Sequence, residues 1–232
     1  MGGYSDLTII IPTLNESRNI RTLIGILARH YNGVSIIVSD DGSRDGTAEI
    51  VREISRRNKR IKLIDRTGKP RGLAASVMDA VLVARTDKVI VMDGDLQHPY
   101  IKVGKLHSAL DRSDLVIGVR TTINDWSLHR KALSKGMSYL AYTTFKIRGK
   151  PVCRDMMSGF FGARRKFLAD LIKRNRSAFV GGGYKLLLDI LRVSDQGTRI
   201  AEVPYGTFHD RRHGSSKLGP RQFYRTIISI MK

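Results

Sequence analysis

The sequence predicts an α/β fold, with a mostly parallel, doubly wound sheet and helices along its flanks. Three observations predict it. Short runs rich in β-branched apolar residues recur without polar alternation, as strands covered on both faces require. Segments with helical apolar spacing lie between them, and that alternation implies β-α units. The runs also end in clusters of carboxylates, glycines and amides, where an open parallel sheet places its ligands.

The elements follow in order. Residues 6–12 (DLTIIIP), 34–40 (VSIIVSD), 87–93 (DKVIVMD) and 114–119 (DLVIGV) read as buried strands, and 61–65 (IKLID) as a weaker one. Residues 15–30 set Ile20, Leu23, Ile24 and Leu27 on one helical face. Residues 45–57 do the same with Ala48, Val51 and Ile54, starting from Asp45 as N-cap. Segments 72–85 and 99–111 continue the alternation. The second half is more helical. Residues 125–147 read as a long helix carrying Trp126, Leu133, Met137, Leu140 and Phe145, interleaved with Arg130, Lys131, Lys135 and Lys146. Helices are expected over 165–174 and 183–193, and a strand over 198–204. A loop rich in glycine, serine and basic residues covers 209–220. Residues 1–220 are read as one domain, and 221–232 as an amphipathic, membrane-proximal segment that turns apolar at Ile227, Ile228, Ile230 and Met231.

A chain of 232 residues suits one α/β domain and can bury a full core. The mean hydropathy of −0.21 is ordinary for a globular protein. No run of about 18 apolar residues is present, so no membrane-spanning helix is expected within the chain. No secretory signal is expected either. With Cys153 alone there is no intrachain disulfide and no cysteine-rich metal site, which fits a reducing compartment. The charge is the informative bulk property. Forty-one Lys and Arg against 21 Asp and Glu leave a net +20, which calls for an anionic partner: nucleic acid, a membrane surface or a phosphorylated substrate.

The chemistry-bearing residues sit at the strand ends. The first strand leads into Pro12, Thr13, Leu14, Asn15 and Glu16. The second leads into Asp40, Asp41, Gly42 and Ser43, then Asp45, Gly46 and Thr47. Carboxylates there accept from ribose hydroxyls or a base N–H, and glycines let backbone approach a ligand. Taken singly, Asn15 reads equally as a helix cap and Asp41-Gly42 as a turn. The fourth strand ends in Asp93, Gly94, Asp95, Leu96, Gln97 and His98. Two carboxylates and an amide oxygen within five residues suit Mg²⁺ or Mn²⁺ shared with a diphosphate. His98 reads as a turn histidine within reach of that metal. Lys69, Arg71 and Gly72 either approach the diphosphate or form a basic loop.

The series PTLNE, DDGSRDGT and DGDLQHP, spanning residues 12–99, resembles family 2 glycosyltransferases of the GT-A fold, a Rossmann-like sheet with flanking helices. The resemblance implies that Pro12, Glu16 and Asp41 contact the nucleoside of a nucleotide sugar, with Asp40 as a helper. Thr13, Asn15, Gly72, Asp93 and Gly94 complete that donor site. It also implies that Asp93, Asp95 and Gln97 serve the metal and diphosphate. The glycine between the two aspartates stands where many relatives have alanine.

Residues 155–162 (DMMSGFFG) and 203–217 (VPYGTFHDRRHGSSK) resemble the dolichol-phosphate mannose synthases and related polyprenyl-phosphate glycosyltransferases. Phe208, Arg211, Gly214, Ser216 and Lys217 meet a Phe-x-x-Arg-x-x-Gly-x-Ser-Lys pattern. Arg120, with Arg130 and Ser134 at i,i+4 spacing, matches the acceptor-phosphate region. The implied reaction is metal-dependent, inverting transfer of a hexose, with mannose from GDP-mannose favoured, to a polyprenyl or dolichyl phosphate. UDP-glucose and UDP-N-acetylglucosamine are the alternative donors. A lipid phosphate, with a second pKa of about 6 by analogy, is a ready nucleophile. Cations from Arg120, Arg130, Arg211 and Lys217 would place it. Asp155 is read either as a contact to the sugar or acceptor, or as a helix cap.

The lipid acceptor implies a location on the cytoplasmic face of a membrane, peripheral or anchored. Net positive charge favours an anionic membrane surface. The 125–147 helix suits either an interfacial or a core-packing role. A basic nucleic-acid-binding protein is the non-enzyme alternative. It lacks an RNP-type aromatic motif and zinc spacing, and it leaves Asp93, Asp95 and Gln97 unexplained. No nucleic-acid partner is expected.

Overall fold

The computed structural model describes residues 3–123, 128–179, 186–208 and 230, and at 122, 123, 128–135, 207 and 208 the backbone alone. The elements run β1 (Leu7–Thr13), α1 (Ser17–His30), β2 (Ser35–Asp40), α2 (Thr47–Arg57), β3 (Ile61–Asp65), α3 (Leu73–Val83), β4 (Lys88–Val91), a 3-10 turn at Tyr100–Lys102, α4 (Val103–Ala109), β5 (Leu115–Ile123), α5 (Leu128–Ile147), β6 (Phe161–Arg164), α6 (Arg165–Arg174), α7 (Leu186–Val193) and β7 (Ile200–Phe208). The sheet order is β3-β2-β1-β4-β6-β5-β7. The pairs β1–β2, β1–β4, β2–β3 and β5–β7 are parallel, while β6 runs antiparallel to both β4 and β5. The sheet is therefore mostly parallel, as the sequence predicts, with one reversed strand near its middle.

Alternation along the strands divides the core between the two faces. Ile10, Ile37, Val89 and Val91 pack with α3, α5, α6 and α7. Leu7, Ile9, Ile11, Ile36, Val38, Ile90 and Met92 pack with α1, α2 and α4. The crossovers after β1 and β2 thus share one face and the crossover after β3 lies on the other. The chain therefore reverses its winding beside β1, and the adjacent strand ends open into a crevice.

The reversed strand depends on two glycines. A Cβ on Gly162 would lie 2.9 Å from Ile90 Cγ1 and 3.0 Å from Val116 Cγ1, so side chains of both neighbouring strands close over it. A Cβ on Gly118 would lie 2.6 Å from Cδ1 of Phe160, whose ring occupies that space. Both gaps are needed for β6 to fit between β4 and β5. Phe160 and Phe161, beside and within this strand, are both buried in the core. Among the described residues, no helix is long and apolar enough to cross a membrane.

Candidate active site

The first two strand-end loops are stitched together. Asp40 ends β2 opposite Thr13 of β1 and is fully buried. It accepts from Thr13 Oγ1 at 2.8 Å, Ser43 N at 2.8 Å and Ser43 Oγ at 2.5 Å. Asp40, expected as a helper to the nucleoside contacts, therefore holds the loop from beneath. Asn15 adopts φ +59°, in the left-handed region that asparagine tolerates. Its N–H donates to Ser43 Oγ and its Oδ1 accepts from Arg44 N. It caps no helix; Glu16 occupies the N-cap of α1.

Asp45 also differs from expectation. Gly46, at φ +90°, is the N-cap of α2. Asp45 accepts from Thr47 N and Oγ1 and also from Ser17 N at the start of α1. One carboxylate thus serves two helix starts. Partial burial works against its charge, yet these hydrogen bonds outweigh it and draw the pKa down to about 2.

Asp41 is the aspartate that borders the crevice. Its N–H donates to Thr13 O, and its Oδ2 accepts from Gly72 N at 2.8 Å. Its Oδ1 accepts from Arg66 Nε at 2.7 Å. Arg66 is 3% exposed. It was invisible in the sequence, being one basic residue among 41. Of Lys69, Arg71 and Gly72, expected to form either a basic loop or a diphosphate contact, Gly72 N bonds Asp41 and Arg71 Nη2 reaches Gly42 O at 3.2 Å, so the 66–72 loop folds against the Asp41 loop.

The β4 loop closes the crevice on the other side. A Cβ on Gly94 would lie 3.3 Å from both Glu16 Cγ and Thr13 Cγ2, so the Asp93–Asp95 turn rests directly on the β1 loop. Leu96 takes φ +61°, a costly conformation for leucine. Asp95 Oδ1 accepts from Gln97 N at 3.2 Å, and Gln97 is buried. His98 is not an ordinary turn residue. It is buried, stacks on Phe160 at 5.1 Å between centroids, and accepts at Nδ1 from Asp93 N at 2.9 Å. That bond puts the proton of the neutral ring on Nε2, which lies 3.7 Å from Asp93 Oδ2. Gly159 packs there too, with its missing Cβ 3.5 Å from Asp93 Oδ2.

Arg120 and Asp155 meet in a bidentate pair, Nε to Oδ2 at 2.7 Å and Nη2 to Oδ1 at 2.9 Å. Burial disfavours the guanidinium charge, but Asp155, with help from Asp93, raises the Arg120 pKa above its usual value. Residues 154–157 form a turn, so Asp155 caps no helix. Ser158 Oγ ties this turn to Gly118 O at 2.7 Å. Tyr205 packs edge-on against Phe160, and burial pushes its phenol pKa up. The structure thus joins Thr13, Glu16 and Gly94, joins Asp41 and Gly72, and joins Arg120 and Asp155. Pro12 lies half-buried at the end of β1. The side chains of Trp126, Arg130 and Ser134, and residues Arg211, Ser216 and Lys217, lie outside the described residues. So does the 221–232 segment, except Ile230, which is buried.

Glycosyl transferase family 2 matches residues 8–172. A dolichol-phosphate mannosyltransferase of Pyrococcus furiosus is 35% identical over 97% of this chain, which spans 64% of that protein's length. One from Saccharomyces cerevisiae is 30% identical over 92% of this chain and 81% of its own length. A polyprenol monophosphomannose synthase of Mycolicibacterium smegmatis is 32% identical over 96% of this chain and 84% of its own. Among solved structures, the glucosyl-3-phosphoglycerate synthase of Mycobacterium tuberculosis, in complex with Mn²⁺, uridine diphosphate and glucosyl-3-phosphoglycerate, is similar in fold. Its TM-score is 0.68 at 22% identity, covering 97% of this chain and 79% of that one. The crevice at these strand ends and the family match over most of the chain agree: the chain belongs to glycosyl transferase family 2 and is a glycosyltransferase of the GT-A fold.

Proposed function

We propose that this protein transfers mannose from GDP-mannose to a polyprenyl phosphate, with inversion at the anomeric carbon. The observation that carries the reading is the crevice where Gly94 sets the Asp93–Asp95 turn against Glu16 and Thr13. The mannosyltransferase names of the Pyrococcus, Saccharomyces and Mycolicibacterium relatives support it.

Pro12, Glu16 and Asp41 would bind the nucleoside. An ionised Asp41 only accepts hydrogen bonds, so the base must offer N–H groups, as guanine and uracil both do. Among the described residues there is no group of three or more His, Cys, Asp and Glu ready to hold a metal alone. Asp93, Asp95 and the Gln97 amide nonetheless fit a cation that completes its shell with diphosphate and water oxygens. Such a cation, Mg²⁺ or Mn²⁺, would neutralise charge on the departing diphosphate.

The chain's own residues do the rest. The acceptor phosphate is already anionic, so no general base is needed. It must be held in line with the anomeric carbon, opposite the leaving group. Asp155 fixes the Arg120 guanidinium at the β5 side of the crevice. Arg130, Ser134, Arg211, Ser216 and Lys217 are assigned to the phosphate by the sequence motif.

A polyprenyl chain stays in the bilayer, so the protein must reach an anionic membrane surface. The arc of α5 turned away from the core supports this. Tyr139 is 71% and Ile147 86% exposed, beside Leu140, Tyr142 and Lys146. Ala141 and Phe145 bury the opposite face. Helix α5 thus packs into the core on one face, and its exposed arc is compatible with an interfacial role on the other.

The test is a transfer assay with detergent-dispersed polyprenyl phosphate, Mn²⁺ or Mg²⁺, and GDP-mannose, UDP-glucose and UDP-N-acetylglucosamine in parallel. Mannolipid formed from GDP-mannose alone is expected. Glycolipid from a UDP-sugar alone would replace the donor, and no glycolipid from any donor would remove the acceptor.

A further inference from the structure

We infer that Arg66 is a positioning residue of the donor pocket: it aligns the Asp41 carboxylate and the 66–72 loop to receive the nucleoside. The inference rests on the reading that Asp41 contacts the nucleoside. Arg66 follows β3 and is buried. Its Nε donates to Asp41 Oδ1 at 2.7 Å, its Nη1 to Asp79 Oδ2 and Ala75 O, and its Nη2 to Pro70 O at 2.7 Å. One guanidinium therefore joins the β2 loop, the 66–72 loop and helix α3.

Stability alone does not explain this choice. Replacing a buried ion pair by apolar side chains is often neutral or stabilising. The planar fork, by contrast, fixes direction, which a lysine ammonium does not. Here the direction matters because both Asp41 oxygens are engaged, Oδ1 by Arg66 and Oδ2 by Gly72 N. A carboxylate has about four acceptor sites, so each oxygen keeps capacity for a ligand. The same guanidinium holds the Pro70 carbonyl, two residues before that Gly72 N–H. Losing Arg66 therefore frees the carboxylate and the loop together.

The experiment measures binding of GDP and UDP, with Mn²⁺ present, by calorimetry. It compares the wild-type protein with Arg66→Met, Asp41→Asn and the double variant, alongside donor and acceptor kinetics. Arg66→Met is expected to weaken nucleotide binding about tenfold and raise donor KM by a similar factor. Acceptor KM and kcat should stay within about twofold. Because Arg66 acts partly through Asp41 and partly through the 66–72 loop, the double variant should lose less than the sum of the two single losses. Additive losses, or equal falls in kcat and donor affinity, would overturn the inference. Asp79→Asn keeps the Arg66–Asp41 bond and drops the second anchor, so it should cost about threefold in nucleotide binding. If Arg66→Met does not fold, an Asp79→Asn protein with wild-type affinity overturns the inference. Wild-type binding that Arg66→Met leaves unchanged defeats the inference alone. Failure of the wild type to bind either nucleotide defeats the donor reading with it.

Discussion

The two halves of the crevice are built differently. On the β1–β2–β4 side, polar groups are bonded to the neighbouring loop: Thr13 to Asp40, Asn15 to Ser43, Arg44 to Asn15, Ser17 to Asp45, Gly72 to Asp41. On the β5 side, the main polar feature among the described residues is one long-range pair, Arg120–Asp155, and helix α5, which follows β5 in the chain, turns Tyr139 and Ile147 to solvent. The first design suits a rigid, water-soluble ligand, which a preformed pocket receives without reorganisation. The second suits a lipid that arrives from a surface.

Substitutions should separate the halves. The largest expected effect lies on the donor side. Asp95→Ala should lower kcat/KM at least about a thousandfold, because the diphosphate charge then lacks its cation. Near-wild-type turnover with unchanged metal dependence would strike Asp95 from the metal site. On the β5 side, Arg120→Met strands Asp155 in a buried position. It should destabilise the fold by about 3 kcal/mol in denaturant titration. The double variant Arg120→Met/Asp155→Leu should recover most of that loss while remaining inactive. Recovery of activity with stability would make the pair purely structural. A smaller effect is expected at the surface of α5. Tyr139→Ser together with Ile147→Ser should reduce binding to phosphatidylserine-containing vesicles roughly three- to tenfold, leaving nucleotide affinity unchanged. Equal vesicle binding would move the membrane contact off this helix.

The same contrast explains what the sequence could convey. β1, β2, β4 and β5 were legible because each is an unbroken apolar run between polar ends. Asp93, Asp95 and Gln97 stand out in the sequence because oxygen-bearing side chains cluster within one turn. β6 was not: it is four residues long with a glycine in its middle, and glycine weakens a strand pattern. Arg120 and Asp155 were each picked out, but not as partners, because 35 residues separate them. Asp40 and Asp41 are adjacent and chemically identical. Only the register with Thr13 shows that the first turns beneath the crevice while the second borders it. Arg66 had no signal in a chain this basic.

The smallest effect tests whether the donor loops are held by charge. Asp45 ties the starts of α1 and α2 together, and its pKa falls from 3.8 to about 2 in the folded chain. A carboxyl whose folded pKa lies below its unfolded value contributes stability while ionised, above the unfolded value. That contribution is full above the unfolded value of 3.8 and vanishes as pH falls through about 2. Asp45 is mostly solvent-exposed, so the loss should not exceed roughly 1 kcal/mol. Asp45→Asn should remove this part of the acid dependence of the urea midpoint while other carboxylates, such as Asp114 with Arg199, keep theirs. If the wild type and Asp45→Asn lost stability in parallel from about pH 5 to pH 2, the helix starts would be held by backbone geometry instead. Gly46 at φ +90° and Asn15 at φ +59° would then set the loops.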